Sequence, residues 1–298
     1  MSTTSETLDA RIRQRYADAA LHAGEGACCG GGCCGSSSAD AVSANLYRET
    51  ETSLLPEEAV LASLGCGNPT ALIDLHEGQT VLDLGSGGGI DVLLSASRVG
   101  PSGFVFGLDM TDEMLALAMA NKSRAAVSNV AFLKGRVEDI PLPAASVDVV
   151  ISNCVINLAS DKSRVLRDAF RVLKPGGRFA VADVVSDGPI PDALRQNMEA
   201  WVGCIAGALD RETYGNLLLQ AGFEKVEIEI TRRYRVEDAG LDTSGLPDGW
   251  GAADGKIASA FVRATKPSIA QRLEPEGADL PETTDSAGCC DSGSRCQE

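Results

Sequence analysis

The sequence predicts an α/β fold built on a doubly wound, mostly parallel sheet, with a small α+β domain at its C-terminal end. Two observations carry this prediction. From residue 78 onward, short apolar runs typical of buried strands alternate with longer segments of helical periodicity, which is the pattern of parallel strands joined by crossover helices. The first apolar run leads directly into a glycine-rich turn that opens a helix, as in nucleotide-binding sheets.

The parallel part of the sheet is expected to contain five strands, with the sequences TVLDLG, GFVFGLD, VAFLKG, VDVVIS and RFAVADVV. Three helices connect them, in GIDVLLSASRV, TDEMLALAMANKSRAA and DKSRVLRDAFRVL. Thr111 can cap the second helix, and Pro175 ends the third because proline cannot extend a helix. Beyond residue 190, a helical stretch to 221 precedes two further strands, in AGFEKVEIEIT and SAFVRATK.

Four segments follow from these patterns. Residues 1–53 form an N-terminal arm with a segment rich in Cys and Gly, and residues 54–189 form the domain of the parallel sheet, which begins with short helices. Residues 190–266 form the C-terminal domain. Residues 267–298 are acidic and poor in apolar residues, so we expect a disordered tail.

Composition excludes several classes of function. The net charge is −16 and the chain has no cluster of Lys and Arg, so no nucleic-acid partner is expected. Neither a membrane-spanning apolar run nor the apolar core of a signal peptide is present, which predicts a cytoplasmic protein with no membrane partner. Ten cysteines accompany only two histidines, and a reducing compartment disfavours structural disulfides. We therefore expect thiol chemistry that does without imidazole.

The glycine-rich turn has the spacing D-x-G-x-G-x-G, from Asp83 through Gly85 and Gly87 to Gly89. Its third glycine comes earlier than in the dinucleotide motif G-x-G-x-x-G, which favours S-adenosylmethionine over a dinucleotide. Asp109 ends the second strand, where an acidic residue can accept hydrogen bonds from both ribose hydroxyls.

In these motifs, the chain resembles the class I methyltransferases, which have a Rossmann-like sheet and use S-adenosylmethionine. The resemblance rests on VLDLGSGGG, GLDM, VEDIPLP and LKPGG and covers about residues 75–190. It implies that the aspartate and glycines of the turn lie near the methionine part of the cofactor and that Asp109 binds the ribose. It further implies that Met110 lies against the adenine, that Val137 and Glu138 lie at the adenine edge, and that Asn153 lines the cofactor.

Three cysteines lie in distinctive surroundings. Cys66 sits on a bend between two glycines, and Cys204 lies in the helical stretch WVGCIAGAL. Cys154 follows the fourth strand, at the edge of the sheet where ligands bind. A lone intracellular cysteine is commonly a small buried hydrophobe, and that alternative stands for Cys204 in particular.

The phrases LGCGNP, SNCVINL and WVGCIAGAL, in this order around such a core, resemble the arsenite methyltransferases and extend the similarity to about residues 54–265. The resemblance implies that Cys66, Cys154 and Cys204 bind trivalent arsenic as thiolates, with arsenite and methylarsenite as substrates. It also implies an N-terminal redox cysteine, for which Cys34 and its neighbour Cys33 are our candidates, and thioredoxin or glutathione as the reductant. The tail cysteines, Cys289, Cys290 and Cys296, match no motif of the family.

Two alternatives stay open from the sequence. One is a thiol-rich methyltransferase that acts on oxygen, nitrogen or carbon of another small molecule; it needs a general base or a substrate clamp, and the sequence offers no obvious one. The other is a metalloid-binding protein whose methyltransferase core is inert, which the intact glycine turn and Asp109 disfavour.

Overall fold

The structure is a computed structural model that describes residues 2–22, 73–188, 207–234 and 255–268, with the side chains of the first helix described from residue 10 to 21. Several expectations lie outside these ranges: the helices before residue 73, the helical stretch from 190 to 206, and nearly all of the acidic tail. Within the described residues, no helix combines the length and apolar character that crossing a membrane requires.

The described helices are α1 (Ser2–His22), α2 (Ile90–Val99), α3 (Asp112–Arg124), α4 (Lys162–Val172) and α5 (Arg211–Ala221), with a 3₁₀ turn at Ile156–Leu158. The strands are β1 (Thr80–Leu84), β2 (Phe104–Asp109), β3 (Val130–Lys134), β4 (Val147–Asn153), β5 (Leu173–Ser186), β6 (Leu209–Asp210), β7 (Glu224–Tyr234) and β8 (Ile257–Thr265). Helices and strands alternate from β1 to β3, and a helix again separates β4 from β5, as the sequence predicts.

These strands form one sheet in the order β3-β2-β1-β4-β5-β8-β7, with β6 paired beside β5. The first five strands of that order run parallel, whereas β8 is antiparallel to both β5 and β7. The strand order reverses between β1 and β4, so a crevice opens outside the carboxyl ends of these two strands. The glycine turn follows β1 and Cys154 follows β4, which places both at this crevice.

The central strands of the sheet, β1, β4 and β5, are buried on both faces. Along β1, Leu82 and Leu84 belong to one apolar cluster and Val81 to another, as expected for side chains that alternate across a strand. Helix α4 packs its apolar face on the larger cluster, and Asp161 caps it by accepting a hydrogen bond from the Arg164 N–H at 2.9 Å. Burial on both faces explains why the strands read as nearly continuous apolar runs.

The two last strands are confirmed, and the structure adds their placement. β7 and β8 extend the same sheet beyond β5, so the described part of the C-terminal domain is continuous with the parallel sheet. Alternation of apolar and polar residues predicts such strands but does not predict their neighbours. Helix α4 ends at Val172, and the KPGG segment lies within β5. Thr111 stands at the start of α3 without capping it through its side chain.

Candidate cofactor and substrate site

The glycine turn leaves no room for side chains at two of its positions. Gly85 has a φ of +70°, and an added Cβ would lie 2.4 Å from Cγ2 of Val155. Gly89 has a φ of +87°, and its added Cβ would lie 2.9 Å from Cζ of Phe132. Both conformations favour glycine, and both positions are in close contact with neighbouring segments. The turn therefore packs tightly against Val155 and Phe132, and glycine is required at both positions.

A cavity of about 620 Å³, part of it open to solvent, lies at this turn. The walls come from several segments that are far apart in sequence: Ile12, Tyr16, Gly85, Gly87, Asp109, Met110, Thr111, Gly135, Arg136, Val137, Glu138, Val155, Leu158 and Ala159.

Asp109 lies at the end of β2 and lines the cavity through a carboxylate that the backbone holds in place. The Gly87 N–H donates to Oδ2 and the Thr111 N–H to Oδ1, each at 2.9 Å. Burial raises the pKa of Asp109, and the hydrogen bonds from Thr111 and Gly87 oppose that rise. Since each carboxylate oxygen has a second lone pair, Asp109 can still accept hydrogen bonds from two hydroxyls of a ligand.

Asp83 is fully buried beside this carboxylate, with 2% of its surface exposed. Burial raises its pKa well above the ordinary value, and the negative charges of Asp91 and Asp109 raise it further. Asp91 stands in the first turn of α2 and accepts a long hydrogen bond, 3.4 Å, from the Asn153 side chain. Like charges buried together need a cation nearby, and among the described residues no group of side chains is arranged to hold a metal ion.

At the far side of the cavity, the Arg136 guanidinium donates to the Glu138 carboxylate at 3.1 Å. Glu138 is buried, whereas Arg136 is partly exposed. The pair fixes an acceptor at the cavity wall next to the backbone of Val137. This arrangement suits recognition of a flat heterocycle with hydrogen-bond donors and acceptors on one edge.

Cys154 sits on a turn that the neighbouring strand holds firmly. Its φ is +58°, a left-handed conformation uncommon outside glycine, and its N–H donates to the Ala182 carbonyl at 2.8 Å. Three residues later, the Asn157 amide donates to Asp183 Oδ1 and to the Val184 carbonyl, at 2.7 and 2.6 Å. These bonds attach the Cys154 turn to β5 at both ends. A strained residue held in this way points to a functional position.

The Cys154 turn and the glycine turn touch each other. Val155, the next residue after Cys154, packs against Gly85, and both line the cavity. Residue 154 thus lies within one residue of the wall of the candidate cofactor site. This contact joins two motifs that are distant in sequence, since Gly85 and Val155 are 70 residues apart.

The comparisons with known proteins agree with this geometry. A methyltransferase-domain family matches residues 75–222. The arsenite methyltransferase of Halobacterium salinarum is 41% identical over 246 residues, and the match covers 76% of this chain and 62% of that protein. The human arsenite methyltransferase is 37% identical over 177 residues, which cover 56% of this chain and 46% of that protein. The chain therefore spans less than two thirds of the length of these curated relatives.

Among solved structures, the arsenic(III) S-adenosylmethionine methyltransferase of Chlamydomonas reinhardtii superposes with a TM-score of 0.57. It is 30% identical, and the match covers 77% of this chain and 73% of that one. The chain belongs to the arsenite methyltransferase family. The class I methyltransferase fold expected from the sequence is confirmed, and with it the membership of a family that uses S-adenosylmethionine.

The cavity fits S-adenosylmethionine on two structural grounds. Gly85 and Gly87 line the cavity without side chains, so the backbone there can approach a bound molecule closely. The buried carboxylates of Asp83, Asp91 and Asp109 lack a compensating metal site among the described residues. A cofactor that carries a sulfonium and an ammonium group would bring positive charge to these carboxylates.

The sequence-predicted site residues are distributed unevenly around the cavity. Six of the nine cofactor residues line it: Gly85, Gly87, Asp109, Met110, Val137 and Glu138. Asp83, Gly89 and Asn153 do not; Asp83 lies buried behind the wall, and Asn153 contacts Asp91. The roles of all nine residues toward the cofactor stay predictions.

Among the predicted thiols, Cys66, Cys204, Cys34 and Cys33 lie outside the described residues, as do the tail cysteines. Cys154 is described, is 2% exposed, and is disulfide-bonded. The expectation of a reduced cysteine at this position therefore differs from the structure, in which the sulfur is oxidised. Since arsenic binds thiolates, this form has to be reduced before Cys154 can be a ligand.

Sequence reasoning missed several residues of the cavity wall. Thr111 directly follows GLDM, and Arg136 directly precedes VEDIPLP, so the neighbouring motifs could have indicated both. Val155 likewise adjoins Cys154. Ile12 and Tyr16 had no such signal, because they lie in a polar helix far from every motif.

Proposed function

We propose that this protein transfers methyl groups from S-adenosylmethionine to trivalent arsenic bound by the thiolates of Cys66, Cys154 and Cys204, in the reducing cytoplasm. The observation that carries the proposal is the contact between Gly85 and Val155, because it puts the cysteine turn against the cofactor cradle. The names of the matched relatives, arsenite methyltransferases, support arsenite as the substrate.

The choice of ligand atoms follows from the chemistry of arsenic. Trivalent arsenic is soft and prefers sulfur, and three thiolates leave its lone pair free at the apex of a pyramid. S-adenosylmethionine supplies an electrophilic methyl group on a positively charged sulfur. With the cofactor bound, it would supply this methyl group to the arsenic lone pair, and the electron pair of the broken S–C bond would stay on sulfur. No proton is transferred in this step, so the chain needs no general base.

The residues of the chain act mainly by binding and orienting the reactants. Asp109 accepts hydrogen bonds from the ribose hydroxyls, while Val137 and Glu138 contact the adenine edge. The Cys154 turn, attached to β5, keeps its sulfur at one distance from the glycine turn. Such positioning can supply roughly 7–11 kcal/mol of a reaction barrier.

The buried carboxylates also distinguish the cofactor from its product. Asp83, Asp91 and Asp109 attract the positive sulfur of S-adenosylmethionine, whereas methyl transfer leaves a neutral thioether. We expect this loss of charge to weaken binding of the product and thereby to favour its release.

Methylation oxidises arsenic from the trivalent to the pentavalent state, so each further round needs two electrons. Two cysteine thiolates that form a disulfide supply them, and thioredoxin or glutathione reduces that disulfide. We assign the additional N-terminal cysteine of this step to Cys34, with methylarsenite as the substrate of the next round.

The proposal is tested by changing each thiol to serine. Cys66→Ser, Cys154→Ser and Cys204→Ser should each abolish methylation of arsenite, because a serine hydroxyl is a hard, protonated ligand at neutral pH. Affinity for S-adenosylmethionine should stay within about twofold, since serine nearly preserves the volume of cysteine. Arsenic speciation after incubation with cofactor and a thiol reductant measures the first effect, and calorimetry measures the second.

Cys290→Ser is the matched control, since it removes a thiol of the tail, and it should methylate arsenite normally. Methylarsenite already carries one carbon substituent, so Cys66→Ser should retain the second methylation if Cys154 and Cys204 are the inner pair. Normal turnover of arsenite by any of the three site variants would contradict the three-thiolate site. Methylation of a different acceptor, with none of arsenite, would favour the alternative methyltransferase.

A further inference from the structure

The N-terminal helix α1 forms part of the wall of the cofactor cavity. Ile12 is 1% exposed and Tyr16 is partly buried, and both line the cavity together with Asp109 and Glu138. They contribute side chains from a segment more than 60 residues before the glycine turn. None of the cofactor motifs includes this helix.

The buried face of α1 is small among the side chains that the structure describes. Residues 12, 16 and 20 lie on one stripe, since positions four apart stack on the same face of a helix. Among the side chains of α1 that the structure describes, Ile12 is the one large aliphatic group that is buried; Ala17 and Ala20 are the other buried apolar residues. Leu21, the other large aliphatic residue, is 62% exposed.

This composition makes the helix depend on its surroundings. Helix α1 packs against α3, which starts directly after the cavity residue Thr111. A short amphipathic face built from one isoleucine, one tyrosine and alanines gives an isolated helix little stability, because helices in proteins are held mainly by tertiary packing. Both of its large inward residues face the cavity, so a molecule bound there adds to the surface against which the helix packs.

We propose that α1 is a component of the cofactor site, in which Ile12 and the ring of Tyr16 contact S-adenosylmethionine or its product. Binding of either molecule stabilises the packing of α1 against the rest of the protein. The inference rests on the cofactor part of the proposed function and is independent of the arsenic substrate.

The decisive measurement is the affinity for S-adenosylhomocysteine, the demethylated product, which is not consumed and needs no arsenic. Tyr16→Ala should weaken its binding about tenfold or more, since an aromatic contact and its buried area are lost. Ile12→Ala should weaken it by a similar factor. Leu21→Ala is the matched control, an aliphatic residue exposed on the same helix, and it should leave affinity unchanged within about twofold.

Tyr16→Phe separates the ring from the hydroxyl. If the ring makes the contact, the phenylalanine variant should bind S-adenosylhomocysteine within about threefold of the unchanged protein. A loss as large as that of Tyr16→Ala would overturn the assignment to the ring. Circular dichroism confirms that each variant is folded before its affinity is compared.

Hydrogen exchange tests the helix itself, without any substitution. Amide exchange of residues 10–21 should slow when S-adenosylhomocysteine binds, because the helix then opens less often. Unchanged exchange, or equal affinities of Tyr16→Ala, Ile12→Ala and Leu21→Ala, would overturn the proposal. Since no arsenic is present, failure here leaves the arsenite activity to its own test. If the unchanged protein bound the product but did not methylate arsenite, that result would count against the proposed function alone.

Discussion

Two aspartates are almost completely buried in the same sheet, and the groups around them differ in charge and in hydrogen bonding. Asp83 on β1 is 2% exposed and Asp183 on β5 is 1% exposed. Burial is the largest cause of a raised pKa for both. The other influences differ: carboxylates surround Asp83, whereas hydrogen-bond donors surround Asp183.

The neighbours of Asp183 satisfy its carboxyl group. Asn157 donates to Oδ1 at 2.7 Å, and the Tyr214 hydroxyl donates to Oδ2 at 3.3 Å. Tyr214 is itself fully buried, and its pKa is raised well above the ordinary value by burial and by the charge of Asp183. This group is a structural anchor, because it connects α5 and β5 to the turn that carries Cys154.

The neighbours of Asp83 do the reverse, since Asp91 and Asp109 raise its pKa further. A buried carboxyl group among like charges reduces the stability of the ligand-free protein and favours binding of a cation. The comparison teaches that the partners of a buried charge, rather than its burial, distinguish a ligand site from an anchor. Substitutions at the two aspartates and at Tyr214 test this distinction.

The largest effect is expected from Asp183→Ala. The substitution leaves the Tyr214 hydroxyl and one bond of the Asn157 amide without an acceptor in a buried region. Each unsatisfied donor costs about 1–3 kcal/mol, so the free energy of unfolding at pH 6 should fall by about 3 kcal/mol. Urea denaturation measures it. Affinity for S-adenosylhomocysteine should stay within about threefold, and a large loss of affinity in the folded variant would contradict the role of an anchor.

The second prediction concerns pH. Burial raises the pKa of Asp183 to about 7. Between the ordinary pKa of aspartate, about 3.9, and this value, the folded state binds more protons at Asp183 than the unfolded state does. The contribution of Asp183 to the free energy of unfolding should therefore fall as pH rises through this window. Below and above the window, this contribution should be constant.

Asp183→Asn isolates this contribution, because the amide does not titrate. The difference in unfolding free energy between the unchanged protein and Asp183→Asn should shift by about 2 kcal/mol in favour of the variant between pH 4 and 7; the full pKa change sets an upper bound of about 4 kcal/mol. Urea denaturation at a series of pH values provides the curve. A difference that does not change across this window would show that Asp183 has an ordinary pKa.

The third prediction is the counterpart at the cofactor side. Asp83→Asn removes one negative charge from the cluster at nearly constant volume, so affinity for S-adenosylmethionine should fall about tenfold, or about 1.4 kcal/mol. The free energy of unfolding without ligand should stay constant or rise, since the repulsion from Asp91 and Asp109 is relieved. Calorimetry and urea denaturation together measure both.

Asp183→Asn is the matched control for this substitution, the same exchange at an equally buried aspartate outside the cavity. It should leave cofactor affinity unchanged. Equal losses of affinity in the two variants would remove the distinction between the two aspartates.

The sequence predicted six residues of the cavity wall, because these residues belong to local motifs. Gly85 and Gly87 are recognisable from their spacing in the turn, and Asp109 from its place at the end of a strand. Crossover topology then brings the carboxyl ends of β1, β2 and β4 to one edge without further information. The same rule placed Cys154 at the crevice.

The remainder depends on contacts between segments far apart in sequence, for which no local pattern exists. Asp91 looks like an ordinary acidic residue in the first turn of a helix, where such residues are common. Asp183 lies inside an apolar strand, and its hydrogen-bond donors come from a 3₁₀ turn and from α5. The strand sequence RFAVADVV alone therefore does not show that the carboxyl group has hydrogen-bond partners. Tyr16 likewise reaches the cavity only through the packing of α1 on α3.

The smallest effect is expected from Tyr214→Phe, which tests the weaker bond of the anchor. The substitution keeps the buried ring and removes only the hydroxyl, whose bond to Asp183 Oδ2 is long at 3.3 Å. Asp183 keeps the donor Asn157, so the free energy of unfolding should fall by about 1 kcal/mol. The missing donor should also raise the pKa of Asp183 slightly, since the hydrogen bond from Tyr214 lowers it. The pH window of the second prediction should then extend upward, and urea denaturation between pH 6 and 8 detects the extension. A fall of 3 kcal/mol or more would mean that Tyr214, rather than Asn157, is the main partner of the buried carboxyl group and that the anchor belongs to α5 more than to the Cys154 turn.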